Sequence, residues 1–304
     1  MRVPNLPVRV PTLSGGVPKL SGRIPKVIVF AVALGLAVPA ALLASVAPAS
    51  ASPCAEPSPA AGIGASASGK GFYVVSADGC IGTAGDASFE GQPAGALNQP
   101  IVGLAVSPAS SGYWEVAADG GVFTFGGAPF FGSTGAIHLN RPIVGMAATP
   151  SGQGYWFVAS DGGIFAYGDA VFFGSTGAMQ LNQPIVGMAA TPSGHGYWLV
   201  ASDGGVFAFG DARFLGSAGA VRLSQPIVGI VATPDGGGYW FVARDGGVFN
   251  FGNAPFLGSA TPPANSAQPP AVGIAATRTG QGYWIVFRPN DLVDAFGDAA
   301  AVAV

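Results

Sequence analysis

The sequence predicts an all-β protein, a six-bladed β-propeller whose blades are four-stranded antiparallel sheets of about 42 residues each. Three observations predict it: a 42-residue unit recurs along the chain, each unit holds several short apolar runs separated by turn residues, and the runs are apolar on both faces. The composition agrees. Of 304 residues, 49% are hydrophobic, 9% are charged and 49 are glycine, which is too apolar for a disordered chain and too rich in glycine for a helical bundle.

The repeat is clearest in four central copies. They read GYWEVAADGGVFTFGGAPFFGS (112–133), GYWFVASDGGIFAYGDAVFFGS (154–175), GYWLVASDGGVFAFGDARFLGS (196–217) and GYWFVARDGGVFNFGNAPFLGS (238–259). A second shared segment precedes these blocks, such as IVGMAATP at 143–150 and 185–192. Two weaker copies flank the central four, at 60–91 and 271–304, which brings the total to six.

Turn residues divide each unit into strands. In the third copy the apolar runs are 143–149, 155–160, 163–167 and 171–173. Asp161-Gly162 separates the second run from the third, and this dipeptide favours a hairpin because glycine accepts a positive φ and the aspartate side chain caps the turn. Gly168-Asp169-Ala170 separates the third run from the fourth. Each unit is therefore predicted to be a four-stranded meander.

The second run of each unit is apolar on both faces. Tyr155 and Phe157 point to one side of the strand, and Trp156 and Val158 point to the other, so both faces must be covered. Sheets stacked between copies of themselves in a circle provide that cover. A solenoid or β-helix is the alternative, although its coils are usually shorter and its ends need polar caps. We expect the recurring tryptophans to be core residues: Trp114, Trp156, Trp198, Trp240 and Trp284.

Residues 1–51 are predicted to be a secretory signal peptide. Five basic residues precede an uninterrupted apolar run at 27–46, and Ala49-Ser50-Ala51 suits cleavage after Ala51. An uncleaved anchor is the alternative, because 20 apolar residues can also span a bilayer. The cleaved chain keeps 7 basic and 15 acidic residues, a net charge of about −8, which makes nucleic acid and anionic lipid poor partners. We expect a secreted, extracellular protein, either free or attached to the cell surface, that meets a membrane only if the segment is retained.

The mature chain is predicted to consist of an N-terminal arm, 52–59, and the propeller, 60–304. It holds two cysteines, Cys54 and Cys80. Export favours a disulfide between them, which would close a loop of about 26 residues and stabilise the fold by about 3 kcal/mol. Two free thiols are the alternative.

The unit GYWxVAxDGGVFxFGDAxFxGS, followed by PIVGMAATPSG, resembles a repeat of secreted actinobacterial proteins, in which tandem copies stand alone or accompany cell-wall hydrolase domains. The resemblance covers about residues 60–304 and is most specific over the four central copies. It implies an exported, propeller-like module and names no agreed activity. The chain lacks the blade signatures of WD40 and kelch proteins and carries no appended hydrolase domain.

The acidic residues recur in two series. The first lies at hairpin tips: Asp78, Asp119, Asp161, Asp203 and Asp245. The second lies at the turn before the last run: Asp86, Asp169, Asp211 and Asp298, with Gly127 and Asn253 at its missing places. A spacing of about 42 residues puts members of a series on separate blades, too far apart for paired carboxylates or one calcium ion. Both series are predicted to form turns.

Other candidate sites are weaker. His138 and His195 fall at different positions of the unit and do not form a metal pair. Residues 64–70 match the opening of a phosphate-binding loop, but Gly71 stands where a serine or threonine should follow Lys70. Exposed tryptophans could stack on sugars, although their place in the strand favours the core. No Gly-x-Ser-x-Gly elbow is present.

A ligand would contact positions that vary between copies, and the clearest set lies in the loops before the first strands. These residues are His138, Arg141, Gln180, Gln183, Arg222 and Gln225. The sequence thus favours a secreted, non-catalytic module that binds a glycan or an extracellular protein, with no cofactor and no metal. A polysaccharide- or cell-wall-active hydrolase or lyase that uses loop acids is one alternative, and a purely structural surface protein is another.

Overall fold

A computed structural model of the chain describes residues 58–260, 269–288 and 292–301. All of them lie in the second of the two units into which the chain divides, Pro48–Val304. The predicted signal segment, most of the arm and Cys54 lie outside the described residues, so cleavage after Ala51 and the Cys54–Cys80 disulfide stay predictions. No helix in the described ranges is long and apolar enough to cross a membrane.

The strands form six antiparallel sheets, each a meander of three consecutive strands. Sheet 1 contains β1 (Ala60–Ala65), β2 (Phe72–Ser76) and β3 (Ile81–Ala84). Sheet 2 contains β4 (Ile101–Val106), β5 (Tyr113–Ala117) and β6 (Val122–Phe125). Sheet 3 contains β7 (Ile143–Ala148), β8 (Gly154–Ala159) and β9 (Ile164–Gly168). Sheet 4 contains β10 (Ile185–Ala190), β11 (Gly196–Ala201) and β12 (Val206–Gly210). Sheet 5 contains β13 (Ile227–Ala232), β14 (Gly238–Ala243) and β15 (Val248–Gly252). Sheet 6 contains β16 (Ala271–Ala276), β17 (Gly282–Phe287) and β18 (Val293–Gly297).

Within the described residues each sheet has three strands, one fewer than predicted, because the fourth apolar run does not form a strand there. In sheet 3 this outer run is held by side chains. Trp156 Nε1 donates to the Val171 carbonyl oxygen at 2.8 Å, and the hydroxyl of Tyr197 in sheet 4 accepts from the Phe173 N–H at 3.1 Å. Pro129 and Pro255 take the place of Val171 in sheets 2 and 5, where they offer no N–H to a ladder.

The first strands of the six sheets form a closed ring. Each of β1, β4, β7, β10, β13 and β16 packs against the next, and β16 packs against β1. A backbone hydrogen bond ties each of sheets 2 to 6 to the sheet before it; in sheet 3, for example, the Ile143 N–H donates to the Ala118 carbonyl at 2.9 Å. At the junction of sheets 6 and 1, Arg288 Nε donates to the Ala60 carbonyl instead.

Aromatic pairs fill all six interfaces between sheets. Each middle strand sends one ring to the preceding sheet and one to the following sheet, and the paired rings lie 5.0–5.9 Å apart. The pairs are Tyr73–Tyr113, Trp114–Tyr155, Trp156–Tyr197, Trp198–Tyr239, Trp240–Tyr283 and Trp284–Phe72. These rings are 0–3% exposed, so the core is a series of interfaces and not one central cluster.

Removing the Tyr197 hydroxyl tests how the outer run is held. This hydroxyl accepts from the Phe173 N–H and donates to the Gly174 carbonyl at 2.6 Å. We expect Tyr197→Phe to lower the free energy of unfolding by about 1–3 kcal/mol, because the buried partners lose their hydrogen bonds. Urea unfolding measures this change.

Tyr167→Phe is the matched control. Tyr167 is half-buried, its hydroxyl has no partner among the described residues, and the other sheets with an aromatic residue at this position use phenylalanine. We expect its effect to stay within about 0.5 kcal/mol. Equal losses in the two variants would contradict the role assigned to the Tyr197 hydroxyl.

Glycine is required at the hairpin tip of sheet 3. Gly162 has a φ of +79°, and a Cβ there would overlap Thr176 Oγ1. We expect Gly162→Ala to destabilise the fold by at least about 1–2 kcal/mol, from backbone strain alone. Gly145→Ala is the control, since its Cβ would lie 3.7 Å from Val158 Cγ1, an ordinary contact. Urea midpoints that fall equally in both variants would refute the assignment.

Candidate functional site

The ring of sheets has two faces that carry different loops and turns. We call the side where the first strands begin the upper face; it carries the loops that lead into those strands and the hairpin turns between second and third strands. The lower face carries the turns between first and second strands and the turns after the third strands. The assignment follows from the pairing register, because Ile143 at the start of β7 pairs with Ala159 at the end of β8.

The first series of acids caps hairpin turns of the upper face. In sheet 3, Asp161 Oδ1 accepts a hydrogen bond from the Gly163 N–H at 2.9 Å. The same bond, to the N–H two residues on, is made by Asp78, Asp119, Asp203 and Asp245 at 2.9–3.2 Å. Each carboxylate thus serves its own turn. Within the described ranges, no three His, Cys, Asp or Glu side chains lie close enough to hold a metal ion.

The second series of acids joins two turns of the lower face. Asp169 Oδ1 accepts from Thr149 Oγ1 at 2.8 Å, and Oδ2 accepts from Ser151 Oγ at 2.5 Å. Asp211 is held in the same way by Ser193 and Thr191, and hydrogen bonds from these hydroxyls lower the pKa of Asp211. These carboxylates therefore have a structural use.

Two sheets change this arrangement as a unit. In sheet 5 the carboxylate moves to the other turn, so that Asn253 Nδ2 donates to Asp235 Oδ2 at 2.6 Å. In sheet 2 the carboxylate and one hydroxyl are both missing, since Gly127 and Ala109 occupy their positions. The paired changes agree with a link between turns.

The tryptophans are closed to ligands. All five are 0–1% exposed, and each Nε1 donates to a carbonyl of the outer run of its own sheet at 2.7–2.9 Å. Exposed aromatic rings are found instead on the outer runs, at the perimeter. These are Phe89, Phe130, Phe172, Phe214 and Phe256, which are 48–62% exposed.

The variable loop residues lie on the upper face, and the structure brings several of them together. Arg141, Gln180 and Gln183 line one cleft of about 450 Å³. Gln183 also lines the next cleft, of about 310 Å³, together with Gln225. His138 and Arg222 are exposed on the same loops but do not line these clefts.

The remaining motif candidates do not assemble into sites. His138 lies in an upper-face loop and His195 in a lower-face turn, so the two imidazoles lie on opposite faces. Residues 64–70 form the end of β1 and the turn into β2, where the Lys70 N–H donates to Ser68 Oγ at 3.0 Å. A phosphate-binding loop instead joins a strand to a helix.

Comparison with solved structures identifies the architecture. The β-propeller domain of Myceliophteria thermophila Cps50 (Swd1) covers 82% of this chain over 86% of its own length, with a TM-score of 0.50 and 12% sequence identity. The chain folds as a β-propeller. At this identity the likeness shows the fold alone. Neither the protein-family models nor the curated proteins contain a match to the chain.

A cavity of about 340 Å³ opens where the six blades meet on the upper face. The second residue of each first strand lines it, since a β-bulge leaves that residue out of the ladder. These residues are Ala61, Val102, Val144, Val186, Val228 and Val272. The lining also includes Arg244 and Arg288, together with Ile101, Pro270 and Ala271. Sequence reasoning missed this site, although both arginines interrupt the repeat at a position where other blades have alanine or serine.

Sequence reasoning also missed a buried carboxyl group. Glu115, in the middle strand of blade 2, is 0% exposed, and neither carboxyl oxygen has a hydrogen-bond partner. The equivalent residues in the other blades are apolar: Val74, Phe157, Leu199, Phe241 and Ile285. Burial, and secondarily the charge of Asp78, raises the pKa of Glu115 to about 9.

The raised pKa predicts that stability falls as pH rises. The carboxyl ionises near pH 4.5 in the unfolded chain and near pH 9 in the folded one, so between these values the unfolded chain binds fewer protons. The free energy of unfolding should then fall by up to about 1.4 kcal/mol per pH unit. We expect Glu115→Leu to remove this slope in urea unfolding between pH 5 and pH 8.

Glu90→Gln is the control for this experiment. It changes a half-buried carboxyl in the outer run of blade 1 and should leave the slope in place. If Glu115→Leu and the parent chain gave parallel pH profiles, the folded protein would hold Glu115 ionised and the assignment would fail.

Proposed function

We propose that this protein is an exported, non-catalytic propeller whose upper face binds a glycan or an extracellular protein. One observation carries the proposal: the polar side chains that line the upper-face clefts have unused hydrogen-bonding groups. The side chains of Arg141, Gln180, Gln183 and Gln225 make no hydrogen bond within the described part of the chain. These side-chain amide and guanidinium groups make no hydrogen bond among the described residues of the propeller and can therefore form hydrogen bonds with a partner.

The lower face supports the proposal by contrast. There, the carboxylates of Asp169, Asp211 and Asp298 are held by pairs of hydroxyl groups, and sequence variation occurs in matched changes. The upper-face loops vary without such compensation, because the frame does not depend on those side chains. Side chains that the fold does not depend on can vary to suit a binding partner.

The clefts favour binding over hydrolysis. Each of the three upper-face clefts between loops contains one carboxyl group among its lining residues: Asp78, Asp161 or Asp203. Glycoside hydrolysis by the common mechanisms needs two carboxyl groups within about 5–10 Å. Each of these carboxylates also accepts a backbone hydrogen bond in its own turn.

Export and origin belong to the same proposal. The basic and apolar segment at 1–46 and the small residues before Ser52 support secretion, with the protein free or attached to the cell surface. The resemblance of the repeat to secreted actinobacterial proteins supports a role at that cell surface. The acidic balance of the mature chain argues against nucleic acid as the partner.

Gln183→Ala tests the upper face, because this side chain lines two clefts at once. We expect the purified chain to sediment with insoluble cell-wall glycan, or to capture a surface protein, and Gln183→Ala to weaken that binding about 3- to 10-fold. The loss of one or two hydrogen bonds gives this range. Bound protein is measured against glycan concentration.

Gln153→Ala is the matched control, since Gln153 is an exposed glutamine on the lower face. It should bind like the parent chain. Equal weakening by both variants would argue against the upper face, and turnover of the glycan would favour a hydrolase. The absence of any saturable partner would leave a purely structural protein.

A further inference from the structure

The cavity at the centre of the upper face combines an apolar wall with two cations. Five valines and Ala61 surround it, one from each blade, with Arg244 from blade 5 and Arg288 from blade 6 beside them. Its volume, about 340 Å³, lies within the range of small-molecule sites. The site is separate from the clefts between the loops, with which it shares no lining residue.

Four of the six blades have no arginine at this position. The equivalent residues in blades 1 to 4 are Ala77, Ala118, Ser160 and Ser202. The shared task of this position is performed by backbone atoms: the Arg244 carbonyl accepts from the Ala271 N–H at 2.8 Å, as the Ser202 carbonyl accepts from the Ile227 N–H at 2.9 Å. The two guanidinium groups therefore add a property that four other blades do without.

No carboxylate neutralises this pair within the described residues. The Arg244 side chain has no hydrogen bond or ion pair there, and the Arg288 side chain bonds only to the Ala60 carbonyl, through Nε. Burial, followed by the charge of Arg244, lowers the pKa of Arg288. Two cations without a carboxylate partner among the described residues, in a chain that is acidic after export, form a local positive potential that an anion would relieve.

We propose that this cavity binds a small organic carboxylate, with the carboxylate group between Arg244 and Arg288 and the apolar body against the valines. The guanidinium groups suit this role, because they present planar N–H donors that match carboxylate geometry. The Ala60 bond orients Arg288 and leaves its terminal nitrogens available. This site goes beyond the proposed function, since it needs no glycan or protein in the clefts.

The apolar wall decides between anions. A phosphate or sulfate ion is strongly hydrated and would lose that water against the valine side chains without replacement partners. A monocarboxylate carries less charge and an apolar body that gains from burial. The cavity should therefore prefer the organic acid to an inorganic oxyanion.

Benzoate is a suitable probe, with benzamide as its neutral counterpart and inorganic phosphate as the hydrated anion. Calorimetric titration of the full chain at constant ionic strength should give a benzoate dissociation constant on the order of 1 mM or below. We expect phosphate to bind at least about 10-fold more weakly and benzamide to show no saturation. Benzoate should also raise the melting temperature, because it binds the folded state.

Arg244→Gln is the informative variant, because the Arg244 side chain takes no part in closing the ring, whereas Arg288 does. We expect it to weaken benzoate binding at least about 10-fold, the usual effect of one charge-assisted hydrogen bond. Arg222→Gln removes an exposed upper-face arginine outside the cavity and should leave binding unchanged. Val186→Phe fills the cavity, keeps both arginines and should abolish binding.

Three results would overturn the assignment. The first is the absence of any saturable benzoate binding in the titration, and the second is binding of benzamide or phosphate as tight as that of benzoate. The third such result is an equal loss of benzoate affinity in Arg244→Gln and Arg222→Gln. The assignment would also fail if Val186→Phe melted like the parent chain and bound benzoate with unchanged affinity. Failure here, with glycan or protein capture still weakened by Gln183→Ala, would leave the proposed function standing. The reverse result would leave the carboxylate site standing alone.

Discussion

The structure depends on aromatic contact between neighbouring blades. Each middle strand carries two adjacent large apolar side chains, and strand geometry sends them to opposite faces. One ring therefore contacts the blade before and the other the blade after. Pairs at 5.0–5.9 Å are each worth about 0.5–1.5 kcal/mol beyond the area that they bury. A blade alone would expose both rings to water, so the last blade must meet the first, which Trp284 and Phe72 achieve.

The polar ends of these rings organise the outside of the propeller. In blades 2 to 6 the tryptophan N–H holds the outer run of its own blade, and the tyrosine hydroxyl holds the outer run of the blade before. The outer run thus needs no fourth strand ladder, and its outward phenylalanines remain exposed. One buried pair both closes an interface and fixes the perimeter, so core and surface cannot vary independently at these positions.

A few residues that deviate from the repeat make individual blades chemically different from the others. Glu115 places a carboxyl group in an apolar interface, and Arg244 and Arg288 place two cations beside a valine-lined cavity. Identical blades would give a symmetric frame with six equal clefts. The two arginines make one region of the upper face electrostatically different from the rest, and that region is the proposed carboxylate site.

The sequence by itself determined the number of units, the antiparallel meander and the burial demand on both faces, since these depend on local periodicity and turn chemistry at residues such as Asp161 and Gly162. The tertiary structure alone decided that the run at 171–173 is not a strand, because its hydrogen-bond partners are Trp156 and a tyrosine of the next blade. It also decided that Arg244 and Arg288, 44 positions apart, face one cavity. Contacts between blades depend on how the ring closes, and no local pattern encodes that closure.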